Sequence, residues 1–146
     1  MINNRILDIR ENAQLSQSEM AEILMTTQSN YSRWESGKEF IPLSKLNLLC
    51  NYFNVSMDYV MRLNRYTNPN KKIKLNEKII GKRLRIFREK NNLLQSDIAT
   101  LLNTSQSTIS AYENGKTLIL ISFAYQICKK YNISLDWLCG RTNYSL

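Results

Sequence analysis

Apolar side chains recur at helical spacing in short segments along the first half of the chain. In one of them, Met20, Ile23 and Leu24 form a single apolar stripe. Ser16 precedes this stripe and Glu19 follows three residues later, which is the pattern of a capping box. Segments of this kind predict five short helices, over residues 3–12, 17–24, 28–36, 43–53 and 57–63, the last of them capped by Ser56.

The second half of the chain repeats the first. Residues 5–68 align with residues 83–146 at a constant offset of 78, without a gap, and 22 of the 64 aligned positions are identical. Leu94 stands where the first half has the capping Ser16, so the cap at that helix is expected to be weaker. The repeat predicts helices over residues 76–91, 95–102, 106–114, 121–131 and 135–140.

A joint separates the two copies. The residue types of Asn68-Pro69-Asn70 favour a turn, and proline blocks the continuation of a helix. We therefore predict an all-α chain of two repeated five-helix domains, residues 1–66 and 76–146, with a linker over residues 67–75. Fully extended at ~3.3 Å per residue, that linker spans roughly 30 Å.

Composition narrows the class of protein. Of 146 residues, 43% are apolar and 22% charged, which is typical of a globular chain. There is no histidine, and three cysteines without a signal peptide indicate a reducing cytoplasm. No stretch is long and apolar enough to span a membrane. Without a metal cluster, a phosphate loop or a nucleophile–base pair, we expect neither an enzyme nor a cofactor.

Charge is divided unevenly between the halves. The chain carries a net charge of +8, yet residues 1–68 are neutral and all of the excess lies in residues 69–146. Nine basic residues lie between Lys71 and Lys90. A net positive charge is expected for a protein that binds nucleic acid, and it also occurs in small proteins for solubility alone.

The predicted helices 17–24 and 28–36 are joined by three residues, which is the spacing of a helix-turn-helix. Three motifs in the first half extend the likeness: Gln17-x-x-Met20-Ala21, Gln28-x-x-x-Ser32-x-Trp34-Glu35-x-Gly37-Lys38 and Phe53-Asn54-Val55-Ser56-x-Asp58. The second half has Gln95-x-x-Ile98-Ala99, Gln106-x-x-x-Ser110-x-Tyr112-Glu113-x-Gly115-Lys116 and Tyr131-Asn132-Ile133-Ser134-x-Asp136. On these residues each half resembles the DNA-binding domain of the phage-repressor helix-turn-helix family (lambda Cro and repressor, XRE-type).

The resemblance implies a set of DNA-contacting residues. The first residues of the second helix of the motif face base edges, where Gln28 and Gln106 could contact adenine or phosphate. Arg33 could contact guanine, whereas its counterpart Ala111 could only touch a thymine methyl group. The alternative is a solvated helix face. The candidate DNA-binding residues are Gln17, Gln28, Ser29, Asn30, Arg33, Lys38, Gln95, Gln106, Ser107, Thr108 and Lys116.

The same resemblance implies a structural framework. It pairs Arg10 with Glu35 and Arg88 with Glu113, tying the first helix of each copy to the helix that faces DNA. By their spacing, Tyr31, Trp34, Ile109 and Tyr112 are expected in the core, as are Cys50 and Cys128. The basic run from Lys71 is either an arm along phosphate or the minor groove, or a solvated linker and helix face. The aliphatic run 118–121 is either a contact surface or is buried beneath its loop.

Two functional hypotheses follow. The first is a sequence-specific regulator of transcription, most simply a repressor, whose two copies read neighbouring half-sites on double-stranded DNA. The second is a protein-interaction module, as in an antitoxin or mobile-element regulator, in which only the basic second half binds DNA and the first half holds a protein partner. Both are compatible with a homodimer, with a protein partner and with a cytoplasmic protein at the nucleoid, encoded by a bacterium or a phage.

Overall fold

The computed structural model describes residues 1–68 and 71–144, and these residues form helices but no strand. The helices are α1 Ile6–Asn12, α2 Gln17–Ile23, α3 Gln28–Glu35, α4 Leu43–Phe53, α5 Met57–Val60, α6 Glu77–Lys90, α7 Gln95–Leu101, α8 Gln106–Glu113, α9 Ile121–Tyr131 and α10 Leu135–Leu138. Contacts divide the chain into two compact units, Met1–Ile73 and Lys74–Leu146. The predicted all-helical fold of two repeated domains is confirmed.

The first helix begins later than predicted, at Ile6 instead of residue 3. The residues ahead of it cross the end of α3, because the Ile2 amide donates to the Gly37 carbonyl at 2.8 Å. The Asn4 side chain donates to the Trp34 carbonyl at 3.0 Å and accepts from the Ile6 amide at 2.9 Å. These contacts with α3 replace the extra helical turn that periodicity alone predicts.

Two short helices end earlier than predicted. Helix α5 ends at Val60 and not at residue 63, because Arg62 adopts a left-handed conformation with φ of 56°. Helix α10 likewise ends at Leu138, and Gly140 is left-handed at the equivalent position. The other helix limits agree with the predictions within one residue.

Left-handed residues close the helices at equivalent places in both units. Positive φ angles occur at the pairs Gln14 and Asn92, Met25 and Asn103, Gly37 and Gly115, Asn54 and Asn132, and Arg62 and Gly140. Such residues turn the chain away from a helix end and satisfy its last carbonyls. The repeat in sequence is therefore also a repeat in backbone conformation.

The caps of α2 and α7 differ as predicted. In the first unit the Ser16 hydroxyl accepts from the Glu19 amide at 3.1 Å, and the Glu19 carboxylate accepts from the Ser16 amide at 3.0 Å. In the second unit Asp97 accepts from the Leu94 amide at 2.7 Å. Leucine has no acceptor to return that bond, so only half of the capping box is present.

The core of each unit lies inside its five helices. Met20, Leu24 and Leu46 are fully buried in the first unit, as are Leu84 and Ile109 in the second. The aliphatic run 118–121 is buried in part, as one of the two alternatives predicted, and its role as a contact surface stays a prediction. Ile119 and Ile121 are buried within the second unit, whereas Leu120 is 55% exposed.

An arginine holds the final segment of each unit. Arg5 donates to the Tyr59 and Asn64 carbonyls, and its equivalent Arg83 donates to the Trp137 and Thr142 carbonyls. Each guanidinium also lies over the aromatic ring of Tyr59 or Trp137. These two arginines therefore stabilise the fold of their own units.

The predicted joint is described only in part, since Pro69 and Asn70 lie outside the described residues. Beyond them, the Ile73 carbonyl accepts from the side-chain amides of Asn47 at 3.0 Å and Asn51 at 2.8 Å. Both asparagines lie on α4, so Ile73 is held by the first unit.

Candidate nucleic-acid interface

Helices α2 and α3 form the predicted helix-turn-helix of the first unit, and α7 and α8 form that of the second. Thr27 caps α3 by accepting from the Asn30 amide at 3.1 Å, and Ser105 caps α8 by accepting from the Thr108 amide at 3.2 Å. A hydroxyl at each N-terminus satisfies an amide that has no partner inside the helix. Both helices therefore begin at equivalent residues, Gln28 and Gln106.

One face of each of these helices is buried. Tyr31 and Trp34 are buried in the first unit, and Ile109 and Tyr112 in the second, as predicted. The candidate DNA-binding residues lie outside this buried face, on α3 and α8, at the first residues of α2 and α7, and just beyond the ends of α3 and α8. Gln28, Ser29, Lys38, Gln106, Ser107 and Lys116 are exposed, whereas Gln17, Asn30, Arg33, Gln95 and Thr108 are partly buried.

In the first unit a chain of side-chain contacts joins the core to this face. Arg10 Nε donates to Glu35 Oε2 at 2.7 Å, so the predicted ion pair is present. Gln17 donates to Glu35 Oε1 at 3.2 Å, and Gln28 donates to Gln17 Oε1 at 3.4 Å. Ser18 donates to Gln28 Oε1 at 3.0 Å. The two glutamines are thus oriented through a carboxylate that α1 holds.

The second unit builds the same support around Glu113, whose side chain is fully buried. Arg88 donates to both of its carboxylate oxygens, at 2.6 and 2.9 Å, and Gln95 donates at 3.2 Å. Sequence reasoning missed a third partner, Arg85, which donates to Glu113 Oε1 at 3.3 Å. Leu7 occupies the position of Arg85 in the first unit, so comparing the two halves at that position could have revealed it.

The two carboxylates remain ionised for the same reason. Burial raises the pKa of Glu35, but hydrogen bonds from Arg10 and Gln17 outweigh it and leave that pKa below its usual value. Burial and the bonds from Arg88 and Gln95 act on the pKa of Glu113 in the same opposed senses, with the same net lowering. Each negative charge is therefore retained in the fold as the anchor of a glutamine.

The two units differ in the buried residue next to the carboxylate, which is Tyr31 in the first unit and Ile109 in the second. The Tyr31 hydroxyl is buried beside Glu35, and burial together with that carboxylate raises the pKa of Tyr31. Ile109 cannot supply a hydroxyl in the second unit, where Arg85 approaches Glu113 instead. Both units therefore keep an arginine and a glutamine on the carboxylate, and the third polar neighbour is Tyr31 in the first unit and Arg85 in the second.

Arg33 is held on the exposed face of α3 by three neighbours. Its Nη1 donates to Ser29 Oγ at 3.1 Å and its Nη2 donates to Asn30 Oδ1 at 2.6 Å. Its Nε lies 3.0 Å from a carboxylate oxygen of Glu39. Glu39 is absent from the residues that the motifs identified, because it lies in the loop that follows α3.

The corresponding surface of the second unit carries hydroxyl groups and no such charge. Ala111 takes the place of Arg33, and Thr117 that of Glu39. Ser105 Oγ lies 2.9 Å from both Ser107 Oγ and Thr108 Oγ1. The two candidate interfaces therefore share a frame but present different chemistry.

The basic run 71–90 separates into structural and exposed residues. Arg83 holds the end of the second unit, and Arg85 and Arg88 pair with Glu113. The remaining cations are exposed: Lys71, Lys72, Lys74, Lys78, Lys82 and Lys90. Three arginines of the run therefore serve folding, whereas the exposed lysines remain compatible with either predicted alternative, an arm along DNA or a solvated linker and helix face.

Residues 1–68 and 71–144 show no second kind of site. Cys50, Cys128 and Cys139 are buried and form no disulfide in this part of the chain. No group of three or more acidic or cysteine side chains there is arranged to hold a metal ion. No helix in these ranges is long and apolar enough to cross a membrane.

The geometry defines a class of protein, a tandem of DNA-binding helix-turn-helix domains. A family model described as a helix-turn-helix domain matches residues 3–65, and a second, described as helix-turn-helix, matches residues 84–138. The chain therefore carries two XRE-type helix-turn-helix domains in tandem.

Among characterised proteins, the chain is similar to the antitoxin PezA of Streptococcus pneumoniae serotype 4 (strain ATCC BAA-334 / TIGR4). The two are 31% identical over 62 residues, which is 42% of this chain and 39% of that antitoxin. The chain therefore spans well under half of that relative. No solved structure matches the chain.

Proposed function

We propose that this chain is a repressor of transcription that binds double-stranded DNA with α3 and α8, each in the major groove of one of two neighbouring half-sites. The observation that carries this proposal is the same exposed polar face, built twice on the same frame. In each unit a capped helix begins with exposed Gln and Ser residues beside a Gln that a buried carboxylate orients. Polar side chains at the start of such a helix can reach base edges.

The two units are expected to read different bases. Gln28 and Gln106 each suit adenine, because a carboxamide matches the adenine major-groove edge with two hydrogen bonds. Arg33 suits guanine in the first unit, whereas Ala111 in the second offers only a methyl contact for thymine. We therefore propose an operator whose two halves are not equivalent.

Other candidates are assigned to the DNA backbone. Gln17 and Gln95 begin the preceding helices, and exposed Lys38 and Lys116 follow α3 and α8. Contacts of these residues to phosphate would add affinity and register without sequence information. The exposed lysines from Lys71 onward would add a nonspecific, salt-dependent attraction.

Occupancy of the operator is the mode of action that we propose. A chain of two small domains blocks polymerase when it covers a promoter, and tethering raises the effective concentration of the second domain at its half-site. Half-sites one helical turn apart are centred ~34 Å apart. We place this regulator in the cytoplasm at the nucleoid of a bacterium, encoded there or by a phage, with no cofactor.

The test is selection of bound duplexes from a random DNA library with the full chain at two salt concentrations. A bipartite site with unequal halves and a spacing near one helical turn supports the proposal. Equal binding to every duplex, lost uniformly as salt rises, contradicts sequence-specific readout. A perfect palindrome bound by one chain would contradict the proposed inequality of the half-sites.

A second candidate function is protein binding by the first unit, with the second unit as the DNA anchor. Two observations favour it: residues 1–68 are neutral overall, and a relative of part of the chain is an antitoxin. Paired variants of the full chain separate the candidates. If Q28A/S29A leaves the selected site unchanged while Q106A/S107A abolishes it, the first unit does not read DNA.

A further inference from the structure

Glu39 lies just beyond the end of α3, and two contacts bring it back to Arg33. Its backbone amide donates to the Arg33 carbonyl at 3.2 Å, and this bond holds the backbone of Glu39 against the end of α3. Its carboxylate then lies 3.0 Å from Arg33 Nε. Ser29 and Asn30 hold the terminal nitrogens of the same guanidinium.

These contacts leave donors for a ligand. A guanidinium has five N–H groups. Two of them, one on each terminal nitrogen, are donated to Ser29 and Asn30, and the buried Nε lies beside the Glu39 carboxylate. One N–H on each of the two terminal nitrogens remains, and guanine presents two acceptors at its major-groove edge. The side chain of Arg33 is 40% exposed, so part of it is accessible to a ligand.

We propose that Glu39 is the positioning residue that sets the guanine preference of the first unit, by holding Arg33 in the conformation that reads guanine. The inference rests on the proposed function, in which Arg33 contacts DNA. Arginine is long and flexible, and fixing it before DNA arrives removes an entropy cost from the bound state. The ordering of Arg33 then favours the base that matches its remaining donors.

A role in stability does not account for this pair. Glu39 and Arg33 are 55% and 40% exposed, and exposed ion pairs contribute little to folding. The second unit has neither partner, with Ala111 and Thr117 at the two positions. The charged pair is thus present in the unit that has an arginine on this face and absent from the unit that has an alanine there.

Electrostatics alone predicts the opposite outcome for substitutions. A carboxylate on a DNA-facing surface repels phosphate, so its removal should tighten binding to every sequence equally. Positioning predicts a loss of preference at one base pair instead. A ratio of affinities at that base pair distinguishes the two effects.

The experiment uses the full chain and four variants, R33A, E39Q, E39D and T117A. Duplexes selected by the wild-type chain are first scanned to find the base pair at which R33A loses its preference for guanine. A bidentate arginine–guanine contact corresponds to a preference of about 5- to 140-fold over other bases. E39Q is expected to lower that preference about 2- to 12-fold, while E39D retains it and T117A leaves it unchanged.

Each other outcome overturns the inference, and the variants locate the failure. If E39Q tightens binding to all duplexes and keeps the guanine preference, Glu39 acts by charge and the proposed function survives. If R33A changes no base preference, the role of Arg33 in the proposed function fails and the inference fails with it. Equal unfolding midpoints of wild type and E39Q exclude a folding defect as the cause.

Discussion

Replacing Arg88 with Met is the sharpest test of the framework that supports the second candidate interface. Methionine keeps most of the aliphatic stem and removes the guanidinium. The substitution deletes two donors to the fully buried Glu113 carboxylate and the bond from Arg88 Nη1 to the Leu93 carbonyl at 3.0 Å. Gln95 and Arg85 remain as partners of the carboxylate.

The expected cost follows from the charge that is left behind. Breaking a buried ion pair by removing one partner costs ~3–5 kcal/mol, because the other charge stays buried without compensation. Since Arg85 still lies 3.3 Å from the carboxylate, we expect the lower end, about 3 kcal/mol. Arg85→Met serves as the matched control, and we expect it to cost at most about 1 kcal/mol because Arg85 is 48% exposed.

The dependence on pH identifies the carboxylate as the cause. The pKa of Glu113 is lowered in the folded chain, so its contribution to stability is present above the unfolded value and is lost as pH falls through the folded value. In R88M the carboxylate can protonate more easily. The penalty should therefore be full at neutral pH and shrink below about pH 4.3, the usual value for glutamate.

The assay is urea unfolding followed by circular dichroism, with peptide-resolved hydrogen exchange to assign the loss to one unit. Protection should fall in the second unit and stay unchanged in α1–α5. A cost for R88M equal to that of R85M, or one independent of pH, would refute the reasoning. Either result would mean that Glu113 is not held as a buried anion by Arg88.

Three further predictions concern single substitutions. Gly81→Ala should destabilise the chain by about 2 kcal/mol or more, because the added Cβ would lie 2.2 Å from the Tyr112 carbonyl oxygen; thermal unfolding measures it. Leu94→Ser should stabilise it by about 1 kcal/mol by completing the capping box with Asp97, and an unchanged or lower urea midpoint would contradict this. Lys116→Met should reduce the slope of log affinity against log salt by about 1 if it contacts phosphate, measured on a nonspecific duplex.

Much of the local structure follows from the sequence because its signals are short in range. The capping pattern of Ser16 and Glu19 and the apolar spacing of α2 act within one or two turns, and they predict the helix limits within a residue. The repeat adds independent support, since a signal that is weak in one half recurs at the same place in the other. The buried Tyr31 and Trp34 follow from the same helical period.

The errors in the helix limits have tertiary causes. Periodicity extends the first helix to residue 3, but Ile2 and Asn4 instead bond to the end of α3. The left-handed turn at Arg62 ends α5 early. Arginine does not favour this conformation, so the sequence does not predict the turn there, whereas Gly140 at the equivalent position does favour it. In both cases the residues beyond the helix end contact other parts of the unit, and the Arg62 side chain donates to the Asn4 carbonyl and to Asp8.

The sequence by itself determined the helical repeat, the helix-turn-helix of each half and the polar residues on its outer face. Only the tertiary structure decided which further side chains hold those residues, beyond the ion pairs of Glu35 and Glu113. Arg85 contacts Glu113 from another helix, and Glu39 reaches Arg33 from the loop beyond α3. Neither contact has a periodic signature, because the direction of a long charged side chain depends on which partners the folded chain places within ~4 Å of it.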